Sequence, residues 1–251
     1  MNAAQSGLFT YEVVSGQAEI TAYPAGETGH LDIPVELDGF KVVAITGTSP
    51  TQGAFQGSSL SSVMIPEGVE TLGSHAFYWS RLLAVDFPTS LKRIGAKAFG
   101  LTAIGFGGEA IVLPGGLQEI GEQAFWACDF QQMIIPDSVT AIDNSAFANC
   151  KQMTFLKIGT GTSVLPSGAF ENCDQLKRVE FPEGLVEIGP DCFRGSTIAE
   201  VTFPSTLKIL GNRSFGFSGN SLSINGGSLV RAMFKGDAPS SFGGGVFGNR
   251  A

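Results

Sequence analysis

The residues of this chain with the greatest capacity for chemistry are its four cysteines and two histidines. Cys128, Cys150 and Cys173 each stand three residues after a phenylalanine, a spacing that would stack them on successive turns of a repeated structure. Stacked thiolates could bind a metal, but a structural zinc site needs four ligands in a closed cluster. The same position elsewhere holds small polar residues, namely Ser58, Ser80, Thr102, Ser196 and Ser218. We therefore predict buried free thiols, with a disulfide or metal site as the alternative, and core packing for Cys192.

The histidines and a glycine-rich segment give no catalytic signature. General base catalysis needs a histidine oriented beside a nucleophile, and neither His30 nor His75 lies in a recognisable motif for it. Residues 105–108 are rich in glycine but lack the Lys-Ser/Thr pair and the helix start of a phosphate-binding loop. We therefore expect no catalytic residue, no metal site and no cofactor, and we interpret residues 105–108 as part of an inserted turn.

The charge balance limits the classes of partner. The chain has 15 Lys and Arg against 23 Asp and Glu, a net charge of −8, and its only adjacent basic pairs are Lys92-Arg93 and Lys177-Arg178. Nucleic-acid binding requires clustered cations, so we expect no nucleic-acid partner. No apolar run approaches the ~20 residues that span a bilayer, so we expect no membrane insertion. The first residues also lack the pattern of a secretory signal.

A repeat of 22 to 26 residues organises most of the chain. Its first full copy is residues 60–80, in which Val63 and Ile65 alternate inward as a strand, Pro66 ends the strand, and Gly73 allows a tight turn. The residues of the Ala76-Phe77 segment recur at near-helical spacing, although one turn is too short to be stable alone. Prolines mark the strand ends at Pro66, Pro88, Pro114, Pro136, Pro182 and Pro204, with Gly159 in the same position of one further copy.

A second marker confirms the period. Phenylalanine follows a small residue at Phe55, Phe77, Phe99, Phe125, Phe147, Phe170, Phe193, Phe215 and Phe247. Leucine-like residues recurring every 20 to 29 residues or so are typical of leucine-rich repeats, whose coils stack so that each contacts its neighbours. The aromatic content is therefore explained by a stacked core, and no cofactor pocket is needed to account for it.

The I-P-x-x-V-x-x-I-G-x-x-A-F-x-x-C form of this repeat, clearest in residues 117–128 and 139–150, resembles the BspA-like leucine-rich repeat family. The resemblance runs from Leu31 to residues 234–239, with departures at Asp143, Gly159 and Pro166. It carries no catalytic residues. It implies a bacterial type of repeat that is common on secreted or surface-attached proteins and is associated with adhesion and partner recognition.

The predicted fold is a leucine-rich repeat solenoid of the α/β type, made mostly of short parallel strands and turns. We expect a curved right-handed stack of about 8–9 coils of roughly 22–23 residues. Residues 1–30 are predicted to form an N-terminal cap, with a β-hairpin over 9–22, and residues 31–251 the repeat array. The last unit, residues 216–251, should be irregular and either truncated or folded back as a lid. An open C-terminal end should lead to self-association.

Outward positions of the repeat are the candidates for binding, because the inward ones are fixed by packing. On the strand face these are Val112, Ile134, Phe155, Lys157, Arg178 and Glu180, with Ala110 beside them; on the flank after the Ala-Phe turn they are Tyr78, Trp79, Phe106 and Trp126. Apolar residues bordered by charge resemble the centre and rim of an interface. The alternatives are that a loop or the curvature of the stack hides the strand-face residues, and that the flank aromatics pack on the inserted loop.

The resemblance and these surfaces together favour a non-enzymatic recognition or adhesion module that binds a protein or glycan. Its expected location is extracellular or on the cell surface. The alternative is a rigid structural spacer within a larger protein. Exposed aromatic residues beside polar groups would favour a glycan ligand, and an even polar face would favour the spacer.

Overall fold

The computed structural model describes residues 3–108, 111–216 and 229–247, which form strands and turns without a helix. The strands of the first half are β1 (Ala4–Ser6), β2 (Phe9–Val14), β3 (Gln17–Ala22), β4 (Thr28–Asp32), β5 (Glu36–Leu37), β6 (Phe40–Ile45), β7 (Gly47–Ser49), β8 (Gln52–Gly53), β9 (Ser59–Met64), β10 (Thr71–Leu72), β11 (Ala84–Asp86), β12 (Arg93–Ile94) and β13 (Glu119–Ile120). Those of the second half are β14 (Gln132–Ile134), β15 (Ala141–Ile142), β16 (Phe155–Lys157), β17 (Val164–Leu165), β18 (Arg178–Glu180), β19 (Glu187–Ile188), β20 (Glu200–Phe203), β21 (Ile209–Leu210), β22 (Arg231–Phe234) and β23 (Ser241–Phe242).

Two columns of parallel strands run along the stack. The first strand column consists of the sheets β4-β9-β11, β14-β16-β18 and β20-β22, and the second strand column of β6-β10-β12-β13-β15 and β17-β19-β21-β23. Within the second column Leu72, Ile94, Ile120 and Ile142 are in register and buried. The prediction of a leucine-rich repeat solenoid with short parallel strands is therefore confirmed.

Phenylalanine rings form a continuous ladder on the third side of the coil. From Phe55 to Phe215 neighbouring ring centroids lie 4.9–5.5 Å apart, and the rings are inclined by no more than 18°. The spacing follows the coils, because adjacent parallel strands lie ~4.8 Å apart. The cap extends the ladder with Tyr23, 5.0 Å from Phe55, and Phe9, 5.1 Å from Tyr23. The sequence located the repeating phenylalanines but not these two cap residues.

The segment that contains each ladder phenylalanine is a turn, although its spacing is near-helical. In residues 74–80 the N–H groups of His75, Phe77 and Trp79 donate to carbonyls of the next coil at 2.8–2.9 Å. The alternate N–H groups, of Ala76, Tyr78 and Ser80, donate three residues back within the turn. His75 and Trp79 reach this geometry at φ 60° and 55°. Backbone N–H groups that would bond within the segment if it were a helix therefore form hydrogen bonds to the neighbouring coil.

Gly73 has a different role from the one the sequence indicated. Its φ is not in the left-handed region, so the turn itself does not require glycine. A Cβ on Gly73 would lie 2.9 Å from Thr46 Cα, and one on Gly95, in the next coil, would lie 2.7 Å from the Gly73 carbonyl carbon. Glycine at this repeat position therefore allows adjacent backbones to approach closely.

The N-terminal cap is continuous with the repeat array. β2 and β3 form the predicted hairpin around Ser15 and Gly16, both at positive φ, and β3 pairs in parallel with β6. β4 already belongs to the first strand column, because it pairs in parallel with β9. The insertion after β6 forms a small hairpin, β7-β8.

Carboxylates that follow the strand-ending prolines bond to the next coil. Glu67 accepts hydrogen bonds from Thr89 N (2.8 Å), Thr89 Oγ1 (3.0 Å) and Ser90 N (3.3 Å). Asp137 accepts from Thr160 N at 2.8 Å, and Glu183 from Lys235 Nζ at 2.9 Å and Ser205 N at 3.1 Å. These bonds lower the pKa of all three carboxyls, chiefly through the Thr89 amide, the Thr160 amide and the Lys235 ammonium respectively.

Acid should therefore weaken the stack through these carboxylates. A carboxyl whose pKa is lower in the folded state than in the unfolded state stabilises the fold at pH values above its unfolded-state pKa. This stability is lost as the pH falls through the folded-state pKa. We expect the midpoint of urea unfolding to fall as the pH decreases from about 5 to about 3, since unperturbed Asp and Glu titrate near 4. Equilibrium unfolding of the Glu67→Gln, Asp137→Asn, Glu183→Gln triple variant should show a smaller fall over the same range. An identical fall in both proteins would contradict this role.

Candidate functional site

The strand-face patch comprises Val112, Ile134, Phe155, Lys157, Arg178 and Glu180. Ile134 on β14, Lys157 on β16 and Glu180 on β18 are side by side in the parallel register, as are Gln132, Phe155 and Arg178. Between these two rows, Met133, Leu156 and Val179 are buried. The alternation along each strand thus places Ile134, Phe155, Lys157, Arg178 and Glu180 outward, as the sequence indicated.

The apolar members of the patch differ in exposure. Val112 is 78% exposed and Ile134 54%, whereas Phe155 is half-buried. The Arg178 guanidinium lies over the Phe155 ring, 5.4 Å from its centroid, and bonds to Glu180 at 2.5 Å. Phe155 is thus partly covered by its charged neighbour, through a contact of the cation–π type. The result is an exposed apolar side chain at Ile134 beside the charged Lys157 and Glu180, and a second exposed apolar side chain at Val112.

Val112 does not lie on a strand. Between β11 and β14, the described residues 111–113 form no strand. Ala110, expected to border the patch, lies outside the described residues. Residues 103–108 of the glycine-rich insertion form turns. Val112 therefore follows shortly after the insertion in the chain.

The four flank aromatics divide into two pairs. Tyr78 and Trp126 are half-buried, and a Cβ on Gly100 would lie 3.2 Å from the Tyr78 ring, which packs edge-on against His75 at 5.1 Å. Trp79 is 68% exposed and Phe106 66%. Tyr78 therefore packs against the next coil, whereas Trp79 and Phe106 project into solvent.

Trp79 borders a cleft that the sequence did not reveal. The Trp79 cleft has a volume of about 510 Å³ and lies between the end of the cap at Tyr23, the insertion hairpin β7-β8 and Trp79. Its walls come from segments separated by up to 58 positions (from 21 to 79), and no local motif links them. The only sequence signal was the insertion itself.

The cysteines are free and buried, as predicted. The thiols of Cys128, Cys150 and Cys173 donate to backbone carbonyls of the preceding coil at 3.1–3.3 Å. Burial raises the pKa of Cys128 to about 12 and also raises that of Cys192, so these thiols remain protonated and unreactive at neutral pH. No group of three or more His, Cys, Asp and Glu residues suited to a metal ion occurs in the described part of the chain.

His30 makes an arrangement that the sequence did not predict. Its Nδ1 lies 2.8 Å from Ser62 Oγ and its Nε2 lies 2.9 Å from Asp32 Oδ1. These contacts resemble those of a Ser-His-Asp triad. The imidazole and the carboxylate, however, lie on the outward side of the first strand column, where their side chains are 48% and 67% exposed. Catalytic electrostatics depends on a water-excluded site, so this solvated arrangement lacks a principal feature of a catalytic one.

The C-terminal end of the stack is apolar in the described residues. Phe242 takes the position of Leu210 in the second strand column, yet Phe242 is 49% exposed and Leu210 is buried. Of the last unit predicted to be irregular, residues 216–251, positions 217–228 and 248–251 lie outside the described residues. Self-association through this end stays a prediction.

Comparisons with known proteins agree with this geometry. A family model for the BspA type leucine rich repeat region matches residues 47–105 and 108–221 in six copies. A leucine rich repeat protein of T. pallidum is similar in structure, with a TM-score of 0.66, 27% identity, and coverage of 77% of this chain and 89% of that one. A leucine-rich repeat protein of Bacteroides ovatus has a TM-score of 0.61 at 20% identity, covering 97% and 79% respectively.

No curated protein matches the sequence significantly. Among the described residues there is no helix of the length and apolarity needed to cross a membrane.

Proposed function

The chain belongs to the BspA-type leucine-rich repeat family, and on that premise we propose that it is a non-enzymatic recognition module, which binds its partner through the strand-face patch. The observation that carries this proposal is the exposure of Val112 and Ile134 on a face where packing requires nothing apolar. Isolated exposed apolar residues are common, but Ile134 adjoins an ordered charged margin at Lys157 and Glu180. A partner that covers these side chains would remove from water the apolar surface that folding leaves exposed, which favours binding.

A protein partner fits this face better than a glycan. Its exposed apolar members, Val112 and Ile134, are branched aliphatic side chains, and the Phe155 ring is partly covered by Arg178. Protein interfaces combine an apolar centre with an Arg-containing polar rim, whereas glycan binding needs an accessible aromatic face. Because family members of this type are common on secreted and surface proteins, we infer an extracellular or cell-surface location.

The alternative function is a rigid spacer. The uninterrupted ring ladder from Phe9 to Phe247 supports it, because a stack held along its whole length resists bending. A spacer requires only an inert surface. The two functions therefore differ in whether outward side chains affect any binding event.

Replacing Ile134 by serine should separate binding from folding. We expect the affinity for a protein partner to fall more than about tenfold, since central interface residues typically cost over 1 kcal/mol when truncated. The melting temperature should stay within about 2 °C of wild type, because surface substitutions change stability by ~0.5 kcal/mol or less. Surface plasmon resonance of the purified chain over an array of immobilised extracellular proteins would identify and measure the partner.

The matched control is Thr202→Ala, an exposed outward position on β20 beyond the charged margin. It should leave both affinity and melting temperature unchanged. If no arrayed protein binds specifically, the spacer function would be favoured. If a partner is found and Ile134→Ser binds it as wild type does, the strand-face patch would not be the contact surface. A loss of stability in Ile134→Ser comparable to core truncation would mean that the side chain supports the fold.

A further inference from the structure

We propose that the Trp79 cleft is a second binding site, and that its ligand is a neutral saccharide. The cleft lies on the turn side of the stack, whereas the strand-face patch lies on the first strand column. Its volume of about 510 Å³ is in the range of small-ligand sites, roughly 300–1,000 Å³. The inference does not depend on the protein partner, because the two surfaces share no residue.

Folding does not account for the tryptophan. Trp79 adopts φ 55° and is 68% exposed, and the preceding coil has Gly57, at φ 69°, in the same turn position. Leu101, Ala127 and Asn149 adopt the same conformation at this position of later coils, so the repeat requires the backbone geometry but not a tryptophan. The large exposed indole at the edge of a cleft is therefore apolar surface that folding leaves unburied, which points to a ligand.

The lining of the cleft is uncharged. None of its 12 residues carries a Lys, Arg, Asp, Glu or His side chain, although the chain contains 15 Lys and Arg and 23 Asp and Glu. Its polar side chains are hydroxyls and amides, including those of Thr48, Thr51, Gln52 and Gln56. A phosphate or carboxylate ligand would find no cation here, so the chemistry favours a neutral ligand rich in hydroxyl groups.

A sugar ring complements such a lining. Its C–H face is apolar and can stack on the exposed indole face, while its hydroxyls can both donate to and accept from amides and hydroxyls. Gln56 is positioned for this, because its Oε1 accepts from Gly53 N at 3.1 Å, which leaves its amide N–H groups for a ligand. An aliphatic ligand would leave these polar groups unpaired.

The walls of the cleft are held in place by the surrounding fold. The Tyr23 ring lies between Phe9 and Phe55, at 5.1 and 5.0 Å, and Tyr23 N donates to Ala54 O at 2.9 Å. The insertion hairpin is anchored where His75 Nδ1 donates to Pro50 O at 3.1 Å. A preformed cleft of this kind reduces the conformational cost of binding.

Calorimetric titration of the full chain with maltotriose, cellotriose and triacetylchitotriose tests the proposal. We expect saturable binding of at least one, with Kd below about 1 mM. Trp79→Gly should weaken this binding at least about tenfold while the melting temperature stays close to wild type, because glycine suits positive φ. Leu101→Gly, at the same turn position of the next coil, is the matched control and should bind as wild type does.

Trp79→Asn gives a second variant if Trp79→Gly fails to fold, since asparagine occupies this position at Asn149. The proposal is overturned if none of the three saccharides binds, or if a Trp79 variant retains wild-type affinity. It is also overturned if the anionic 3′-sialyllactose binds more tightly than any neutral trisaccharide. Loss of the protein partner in Trp79→Gly would instead make the cleft part of the protein interface. Saccharide binding unaffected by Ile134→Ser would keep the two sites distinct.

Discussion

Replacing Phe147 by alanine is expected to lower the free energy of unfolding by about 3–5 kcal/mol. The Phe147 ring is fully buried, with the Phe125 and Phe170 rings stacked at 5.3 and 5.2 Å and the Phe130 ring edge-on at 6.4 Å. Its removal would leave a cavity in the middle of the ladder, and neighbouring coils cannot close on it because inter-coil hydrogen bonds fix their spacing. Urea unfolding monitored by circular dichroism measures the loss.

Phe106→Ala is the matched control for this substitution. Phe106 is 66% exposed in the insertion, so the same truncation should change stability by no more than ~0.5 kcal/mol. Equal effects of the two substitutions would mean that the ladder is not the core of the stack. A loss confined to Phe147→Ala would support the position of every ladder ring, because all occupy the same place in the repeat.

Restoring the missing proline, by Gly159→Pro, should destabilise the protein by about 2 kcal/mol or more, in the range of overpacked cores. The repeat pattern alone suggests the opposite, since six other copies have proline at this position. A Cβ on Gly159, however, would lie 2.3 Å from the carbonyl oxygen and 2.4 Å from the carbonyl carbon of Pro136. Both are backbone atoms, so relief would require the two coils to separate.

Gly159→Ala should reproduce most of this effect, because the clash arises from the Cβ. Gly115→Ala is the control, since no heavy atom lies within 4 Å of its Cβ position and its φ is not in the left-handed region. Chemical denaturation of the three variants against wild type gives the comparison. Stability of Gly159→Pro equal to or above wild type would contradict the close approach of these coils.

The parts of the fold that could be predicted are those encoded within one repeat. Side chains alternate between the two faces of a strand, and each strand here has one buried face. The sequence therefore identified Val63 as inward and Ile134 as outward. The ladder phenylalanines were predictable for the same reason, as the period brings equivalent positions together. Departures such as Gly159 could be located, but their cause depends on contact with the neighbouring coil.

The remainder depends on contacts between segments far apart in the chain. Nothing in the sequence around Trp79 or Leu101 indicates positive φ, which arises because alternate N–H groups of the turn donate to the next coil. The near-helical spacing was therefore a poor guide to local structure. The Trp79 cleft and the His30-Ser62 contact likewise require the cap and the first coils to be brought together. Two of the four flank aromatics, Tyr78 and Trp126, proved to be half-buried, which only the packing decides.

The position of the bound partner tests the central claim, that the strand-face patch is the contact surface. Lys157 lies exposed in the patch, and Lys92, which directly precedes β12 of the second strand column, pairs with Glu70 at 2.8 Å while remaining half-exposed. Lysine acetylation, followed by mass spectrometry with and without the partner, measures the accessibility of both. The proposal predicts that the partner slows acetylation of Lys157 at least about tenfold, because interface centres exclude water and reagent, and leaves Lys92 unchanged. Protection of Lys92 with undiminished acetylation of Lys157 would place the partner on the other face and contradict the proposal.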